Sequence, residues 1–203
     1  MIRGYIFGIL FSITSSIAIA QDSLVDILKL SSNFKLDIRY AGPSNIFGET
    51  LYNCAKCYLR PQVAIDLIAA NNFFIKKGYR IIIYDCYRPL DVQKIMWKKI
   101  PKATYVANPN TGGSVHNKGA AIDISLEKLD GSFVNMGTDF DYFGKEAHID
   151  NPNLSKEIIS NRTLLFEGMR KFGFQTIRTE WWHFYYKVNN SYPTLNQEFF
   201  CNE

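Results

Sequence analysis

The stretch Ser114-Val115-His116-Asn117-Lys118-Gly119-Ala120-Ala121-Ile122-Asp123 places a histidine in a loop and an aspartate in the apolar strand pattern that follows. A second stretch, Glu180-Trp181-Trp182-His183, lies much further along the chain. Together the two stretches hold two imidazoles and two carboxylates. Two histidines and one carboxylate are a common ligand set for a catalytic zinc ion, with a fourth position open for water. The pattern predicts a zinc peptidase centre in which Glu180 is the base acting on that water.

Each stretch also has a purely structural interpretation. A charged Asp123 among apolar strand neighbours is costly unless it is paired or bound to a metal, and hydrogen bonds alone would satisfy that need. Glu180 and His183 lie in an aromatic run, where an exposed glutamate and a packed histidine would be ordinary. The presence of both stretches in one chain favours the metal centre over these alternatives.

Composition and charge indicate one ordinary globular domain. The 203 residues are 47% hydrophobic and 21% charged, which is enough apolar material for a single well-filled core. The formal net charge of +4 is small, and the charged residues are interspersed along the chain. Because no basic stripe is present, nucleic-acid binding is not expected.

The first twenty residues have the layout of a secretory signal peptide. Arg3 is followed by an almost wholly apolar run from Tyr5 to Ala20, and Ala18-Ile19-Ala20 fits a small-x-small cleavage site. An uncleaved membrane anchor is the alternative, but the run is shorter than the ~20 residues of a spanning helix. We predict a signal peptide over residues 1–20 and a mature domain over 21–203, exported to the periplasm or secreted, without a membrane attachment.

The four cysteines predict structural disulfides, as is usual in exported proteins. Cys54 and Cys57 lie in an irregular excursion after Asn45, and we expect paired cysteines to close it. A redox or zinc-knuckle role for this Cys-x-x-Cys is disfavoured because no second such motif is present. Together with Cys86 and Cys201, three connectivities are possible, and the sequence does not choose between them.

Hydrophobic periodicity predicts an α+β fold: a single domain with a small, antiparallel-rich sheet and helices packed on one side. The predicted strands are Phe34–Tyr40, Tyr79–Cys86, Ala121–Leu126, Ser132–Met136, Phe174–Ile177 and Trp181–Val188. The predicted helices are Pro61–Lys77, Asp91–Lys99 and Leu154–Lys171. Asp130-Gly131 between the third and fourth of these strands predicts a hairpin.

The two metal-site stretches resemble the D-alanyl-D-alanine metallopeptidases, whose pattern is Ser-x-His-x-x-Gly-x-Ala-x-Asp followed by Glu-x-Trp-His. Tyr87-Arg88-Pro89, the run from Met136 to Asp141, and the double tryptophan are similar to dipeptidases of the VanX type. The similarity extends from about Leu24 to Tyr192, and it implies a hedgehog- and D,D-peptidase-like fold. The Cys54-x-x-Cys57 excursion departs from the pattern.

The resemblance implies one zinc ion per chain, held by His116, Asp123 and His183. It implies that Glu180 takes a proton from the attacking water and passes it to the leaving amine. Arg88 matches the cation that holds the scissile carbonyl oxygen as that oxygen becomes negative. An ordinary structural arginine that pairs with a carboxylate is the alternative for Arg88.

The resemblance also implies substrate contacts from Ser114, Asp141 and Tyr40. Asp141 would pair with the free amino group of a D,D-dipeptide, which limits the length of the substrate. The expected function is zinc-dependent hydrolysis of D-alanyl-D-alanine. A D,D-carboxypeptidase or peptidoglycan endopeptidase would have the same metal site in a more open cleft. A non-catalytic, zinc-containing cell-wall-binding module is less favoured, because it need not keep Glu180 and Arg88.

Overall fold

The computed structural model describes residues 23–188 and 191–201. The strands are β1 (Val25–Asp26), β2 (Lys35–Leu36), β3 (Tyr58–Leu59), β4 (Tyr79–Asp85), β5 (Ala121–Lys128), β6 (Phe174–Ile177) and β7 (Glu180–Tyr186). The helices are α1 (Ile27–Leu30), α2 (Pro61–Ile75), α3 (Leu90–Lys99) and α4 (Lys156–Lys171). Single 3-10 turns occur at Arg39–Ala41, Pro109–Thr111, Val115–Lys118 and Lys145–Ala147.

Five of these strands form one sheet in the order β2-β4-β5-β7-β6, and β1 and β3 form a separate antiparallel pair. The pairs β4–β5, β5–β7 and β6–β7 are antiparallel. The two-residue β2 runs parallel to β4 at one edge. The predicted α+β domain with an antiparallel-rich sheet is therefore confirmed, and β5, buried along almost its whole length, is its central strand.

Helices α2 and α4 pack against each other and contact β4 and β6. The buried positions Val63, Leu67, Ala70 and Phe74 of α2 recur every three or four residues, which is the spacing of one helix face. Gly168 of α4 faces the ring of Phe74, where a Cβ atom would come within 2.3 Å of a ring carbon. The close approach of the two helices therefore requires glycine at this position.

The register of three neighbouring strands aligns three polar side chains in one row. Asp85 of β4 pairs with Asp123 of β5, and Asp123 pairs in turn with His183 of β7. Directly opposed residues of antiparallel strands project from the same face of the sheet. The pairing of β4, β5 and β7 thus brings residues that are far apart in the sequence to one place.

Two disulfides tie the segment before α2 to distant parts of the chain. Cys54 is bonded to Cys201, and Cys57 is bonded to Cys86 at the end of β4. The expectation that the cysteines close their own excursion is wrong, because each of them bonds to a different segment. Cys57 and Cys86 are fully buried, whereas Cys201 is exposed.

The described residues of the C-terminal tail, 191–201, cross back over β3, the segment before it and the segment that follows β4. Phe199 packs against the rings of Tyr52, Tyr58 and Tyr87. The Asn196 side chain accepts a hydrogen bond from a backbone N–H in the first turn of α3, at 2.8 Å. The tail therefore has few elements of regular structure but is fixed by specific contacts.

The predicted positions of the three longer helices and of β4 to β7 agree with the structure to within two or three residues. The strand predicted from Phe34 to Tyr40 is wrong beyond Leu36. The backbone N–H of Asp37 still donates to β4, but the chain then enters the 3-10 turn at Arg39–Ala41. That turn takes the Tyr40 ring away from the sheet and into the cleft described below.

The hairpin predicted between Ala121–Leu126 and Ser132–Met136 is reduced to one bridge, between Glu127 and Phe133. The turn itself forms at the predicted place, where the backbone N–H of Lys128 donates to Ser132. The chain beyond it leaves the sheet and becomes the loop that leads to α4.

The predicted signal peptide, residues 1–20, lies outside the described residues and stays a prediction. Within residues 23–188 and 191–201, none of the helices combines the length and the apolar character needed to cross a membrane.

Arg162 of α4 fixes the loop between β5 and α4. Its guanidinium group is buried and donates to the backbone carbonyls of Met136, Glu146 and His148 at 2.8, 2.8 and 3.1 Å. It also lies over the ring of Trp181, 5.8 Å from the centroid. Burial lowers the pKa of Arg162 to about 10, so the group stays protonated at neutral pH. One side chain thus organises a loop that has little regular structure.

We predict that Arg162→Met lowers the free energy of unfolding by about 3 kcal/mol, because three buried carbonyl groups lose their donor. Urea denaturation followed by circular dichroism measures the change. Arg170→Met is the matched control: Arg170 is exposed on the same helix, and its replacement should change the free energy by less than about 0.5 kcal/mol. Equal effects of the two substitutions would contradict this role of Arg162.

Candidate active site

A short, tightly built turn positions His116 beside the central strand. The turn at Val115–Lys118 is closed by a reciprocal capping box, in which the Asn117 side chain accepts from the Ser114 backbone and Ser114 accepts from the turn. Gly119 ends the turn at a φ of 66°, and the chain then enters β5. A Cβ atom at Gly119 would lie 2.5 Å from Leu24, so the spacing between His116 and Asp123 depends on this glycine.

Three side-chain atoms converge where this turn meets the polar row of the sheet. The distance from His116 Nε2 to His183 Nδ1 is 3.2 Å, from His183 Nδ1 to Asp123 Oδ1 it is 3.0 Å, and from His116 Nε2 to Asp123 Oδ1 it is 3.4 Å. Tetrahedral zinc with bonds of ~2.0–2.1 Å requires ligand atoms about 3.3 Å apart. The two nitrogens and one oxygen therefore fit three corners of such a site.

The outer nitrogen of His116 is already engaged. His116 Nδ1 lies 2.7 Å from the backbone carbonyl oxygen of Cys86, to which a protonated Nδ1 donates. This contact leaves Nε2 unprotonated and directed at the other two ligand atoms, which is the arrangement usual for a metal-binding histidine. All three ligand side chains are buried, so an ion here would be largely shielded from solvent.

Opposed charges dominate the electrostatics of the group. Burial alone would raise the pKa of Asp123, but His116 and His183 hold it well below its usual range. Burial alone would lower the pKa of His116, but Asp123 and Asp85 raise it above the ordinary value. The carboxylate of Asp123 is therefore ionised at neutral pH, as a metal ligand must be.

Glu180 lines the same cleft from an irregular start of β7. Between the pairs Ile177–Glu180 and Thr176–Phe184, β7 has three more residues than β6 opposite it. Such a bulge redirects side chains, and Glu180, Trp182 and His183 all line the cleft. Burial raises the pKa of Glu180 to about 7, although the neighbouring His183 opposes this change. A carboxyl group with this pKa can accept and release a proton near neutral pH.

Arg88 is held rigidly at the edge of the cleft. Its two terminal nitrogens donate to Asp85 at 2.6 Å and to Gln93 at 2.9 Å, and the guanidinium lies over the Tyr40 ring, 5.2 Å from the centroid. Burial alone would lower the pKa of Arg88, but the Asp85 carboxylate raises it well above the usual value. Arg88 Nε is buried and finds no acceptor among the described residues, so its N–H is a donor that neither Asp85 nor Gln93 engages.

Asp141 and Tyr40 meet on another side of the cleft. The Tyr40 hydroxyl donates to Asp141 at 2.9 Å, and both side chains are buried. Asp141 has a φ of 61°, a left-handed conformation that costs about 1 kcal/mol or more and is often kept at functional sites. Burial raises the pKa of Asp141 to about 7, and the Asp123 carboxylate adds to the effect. A cationic group placed beside Asp141 would restore its negative charge.

The cleft encloses about 390 Å³, which is at the small end of the ~300–1,000 Å³ range of small-molecule sites. Ser114 lines it together with the ligands, Glu180, Arg88, Tyr40 and Asp141, so all eight predicted site residues share one cavity. One wall is a stacked pair formed by Tyr105 and Phe143, with centroids 4.3 Å apart. This aromatic pair separates the cleft from an outer pocket that it also lines.

A family model described as D-ala-D-ala dipeptidase matches residues 20–203. The chain belongs to this family. It is 34% identical over 178 residues to the D-alanyl-D-alanine dipeptidase of Escherichia coli (strain K12), covering 88% of this chain and 92% of that protein. It is 30% identical over 177 residues to the D-alanyl-D-alanine dipeptidase of Enterococcus faecalis (strain ATCC 700802 / V583), covering 77% of this chain and 87% of that protein.

The solved structure of VanYB in complex with D-Alanine-D-Alanine is similar to this chain with a TM-score of 0.43 and 17% sequence identity, over 66% of this chain and 75% of that chain. The resemblance predicted from the sequence is confirmed by the family match: this protein is an enzyme of the D-ala-D-ala dipeptidase family, a peptidase.

Sequence reasoning missed three residues that support this dipeptidase site. Asp85 binds the Arg88 guanidinium and also accepts from Tyr52 at 2.7 Å. Gln93 holds the other nitrogen of Arg88, and Asn117 donates to the Arg88 carbonyl oxygen at 2.9 Å. Asp85 carried a readable signal, since it is a charged residue that ends a buried strand three positions before an arginine. The other two contacts depend on the tertiary fold and have no local signal.

We predict that His183→Ala weakens the binding of Zn²⁺ at least about 100-fold. Loss of a residue that only hydrogen-bonds to a metal ligand lowers the affinity about 10- to 100-fold, and loss of a ligand itself should cost more. Competition with a chromogenic chelator measures the affinity. His148→Ala is the matched control, because His148 is the one histidine of the sequence besides His116 and His183 and lies outside the ligand group. Wild-type affinity in the His183 variant would contradict the ligand assignment.

Proposed function

We propose that this protein is an exported zinc D,D-dipeptidase that hydrolyses D-alanyl-D-alanine, with Glu180 as the general base. One observation carries the proposal: three ligand atoms 3.0–3.4 Å apart share a cleft with Glu180, the carboxyl group whose pKa burial raises to about 7. Family membership supports the substrate, since the curated relatives are D-alanyl-D-alanine dipeptidases.

In the proposed mechanism His116, Asp123 and His183 would hold the ion. A zinc ion bound there would supply Lewis-acid chemistry, which polarises a carbonyl and makes water nucleophilic near neutral pH. The Glu180 carboxylate takes a proton from the attacking water and passes it to the amine that leaves. A pKa near 7 suits both steps, because the group must be ionised before the attack and protonated afterwards.

Arg88 has the position and charge to stabilise the carbonyl oxygen as it becomes negative. Asp85 and Gln93 occupy both terminal nitrogens, so the guanidinium cannot swing away when substrate is absent. Donors that are oriented before the reaction stabilise the transition state without reorganisation. The buried Nε is available for this contact.

Asp141 is the proposed partner of the free amino group of the dipeptide, and the Tyr40 hydroxyl fixes the orientation of its carboxylate. Ser114 is the third proposed substrate contact, on the side of the cleft beside His116. A buried carboxyl group gains most from a cationic partner, because it has no competing solvent. A substrate with a blocked amino group would leave Asp141 without that partner.

Export is supported by the signal-like layout of residues 1–20 and by two disulfides, which persist in oxidising compartments. An enzyme outside the cytoplasm would act on D,D-dipeptides released during cell-wall turnover, in salvage or remodelling. A D,D-carboxypeptidase or peptidoglycan endopeptidase is the second candidate. Incubation with free D-Ala-D-Ala, L-Ala-L-Ala and a muramyl pentapeptide tests the proposal, which requires chelator-sensitive cleavage of the first substrate alone.

We predict that Glu180→Gln lowers kcat for D-Ala-D-Ala by about 100- to 10,000-fold, which is the usual contribution of a general base. The substitution keeps the shape of the side chain, so the zinc content should stay at one ion per chain. Measurement of released D-alanine and of bound metal separates the two effects. Glu167→Gln, at an exposed position of α4, is the matched control and should retain full activity. Undiminished cleavage by the Glu180 variant would remove the proposed mechanism.

We also predict that the aromatic pair Tyr105–Phe143 limits the length of the substrate. Phe143 lies two residues after Asp141, so a peptide extended at its amino end would run into this wall. Phe143→Ala joins the cleft to the outer pocket, and the ratio of kcat/KM for Lys-D-Ala-D-Ala to that for D-Ala-D-Ala should rise about 10-fold. Phe133→Ala, at a position that is 68% exposed and outside the cleft, should leave the ratio unchanged.

A further inference from the structure

The buried Cys57–Cys86 disulfide adjoins the proposed zinc site through a backbone carbonyl. The carbonyl oxygen that accepts the hydrogen bond from His116 Nδ1, at 2.7 Å, belongs to Cys86. The side chain of the same residue is bonded to Cys57, and the exposed fractions of the two residues are 1% and 0%. The group that fixes the tautomer and direction of a metal ligand is therefore part of a covalently anchored residue.

The bond joins segments that also share backbone hydrogen bonds. Next to the disulfide, the N–H of Tyr87 donates to the carbonyl of Tyr58 at 3.0 Å. Residues 57–58 and 86–87 are thus held together by one covalent bond and one hydrogen bond. Any rotation of the Cys86 peptide unit has to distort both links.

The same short segment is also attached to the turn that carries His116. The backbone N–H of Arg60 donates to Gly119 at 2.9 Å, and the Arg60 Nε donates to Lys118 at 2.7 Å. The N–H of Arg88 donates to the carbonyl of His116 at 3.1 Å. Residues 57–60 are therefore bonded both to Cys86, whose carbonyl accepts the hydrogen bond, and to the turn that carries His116, which donates it.

The second disulfide has no such connection. Cys54 is partly buried, Cys201 is exposed in the C-terminal tail, and neither residue provides a described contact to His116, Asp123 or His183. The two bonds therefore differ in their relation to the metal site, although both cross-link the excursion before α2. If both disulfides only stabilised the fold, removal of either one would have the same effect on Zn²⁺ binding.

We propose that the Cys57–Cys86 disulfide is a positioning element of the metal site, which holds the Cys86 carbonyl against His116 Nδ1 so that Nε2 faces His183 and Asp123. The inference rests on the proposed zinc function and goes beyond it, since it assigns to a cystine the task of fixing the backbone carbonyl that is the outer partner of His116. Loss of such an outer partner typically lowers metal affinity 10- to 100-fold.

The test compares two double variants, Cys57→Ala/Cys86→Ala and Cys54→Ala/Cys201→Ala, with the wild-type protein. Chelator competition at a temperature where near-ultraviolet circular dichroism shows all three proteins folded gives the Zn²⁺ affinity. The first variant should bind Zn²⁺ 10- to 100-fold more weakly than the wild type. The second should lie within about threefold of the wild type, because it removes a cross-link without touching the Cys86 carbonyl.

A spectroscopic signal reports the hydrogen bond itself. In ¹⁵N-labelled zinc-loaded protein, the Nδ1–H proton of His116 should give a slowly exchanging downfield signal in the wild type and in the Cys54/Cys201 variant. It should broaden or vanish in the Cys57/Cys86 variant. Should the alanine pair fail to fold, Cys57→Val/Cys86→Ala restores the lost volume and serves for the same comparison.

Equal Zn²⁺ affinity and equal Nδ1–H signals in the two double variants would overturn the positioning role. A wild-type protein that binds no Zn²⁺ would instead overturn the proposed function, so the two failures are distinguishable. Weak binding confined to the Cys57/Cys86 variant supports the inference.

Discussion

The charge of Asp123 is the constraint on which the rest of the site depends. The residue is 3% exposed in the middle of the sheet, where an unpaired carboxylate would cost several kcal/mol. Two imidazoles lie within 3.4 Å of this carboxylate: His183 from the opposed strand β7 and His116 from the turn that precedes β5. A protein that keeps such an arrangement must either protonate the imidazoles or place a cation among them, and the three ligand atoms have the spacing of a tetrahedral metal site.

A second buried carboxylate lies directly beside the first. Asp85 is opposed to Asp123 across β4 and β5, and like charges in that position are destabilising unless each has its own partner. Asp85 is neutralised by the Arg88 guanidinium at 2.6 Å, whereas Asp123 faces the histidines. The two buried carboxylates therefore have different partners: Asp123 belongs to the proposed metal-binding group, and Asp85 holds the guanidinium that we propose stabilises the oxyanion.

Much of this could be predicted from the sequence, because the information is local. The helix spacing of α2 and the apolar run of β4 determine those elements, and the two stretches around His116 and His183 contain the candidate metal ligands. The prediction that the first strand continues to Tyr40 was wrong, because the alternation of apolar and polar residues does not show that Tyr40 lines the cleft. The disulfide connectivity and the row formed by Asp85 could not be predicted, since both follow from which strands become neighbours.

The contacts of the C-terminal tail restrict the order in which the cleft can form during folding. The N–H of Leu195 donates at 2.8 Å to the carbonyl of Asn117, beside His116, and Asn196 caps the helix that follows Arg88. These supports are translated more than seventy residues after the turn that they hold. Until residues 195 and 196 have been synthesised and docked, the chain therefore lacks part of the framework of its own cleft, and the cleft cannot be completed earlier.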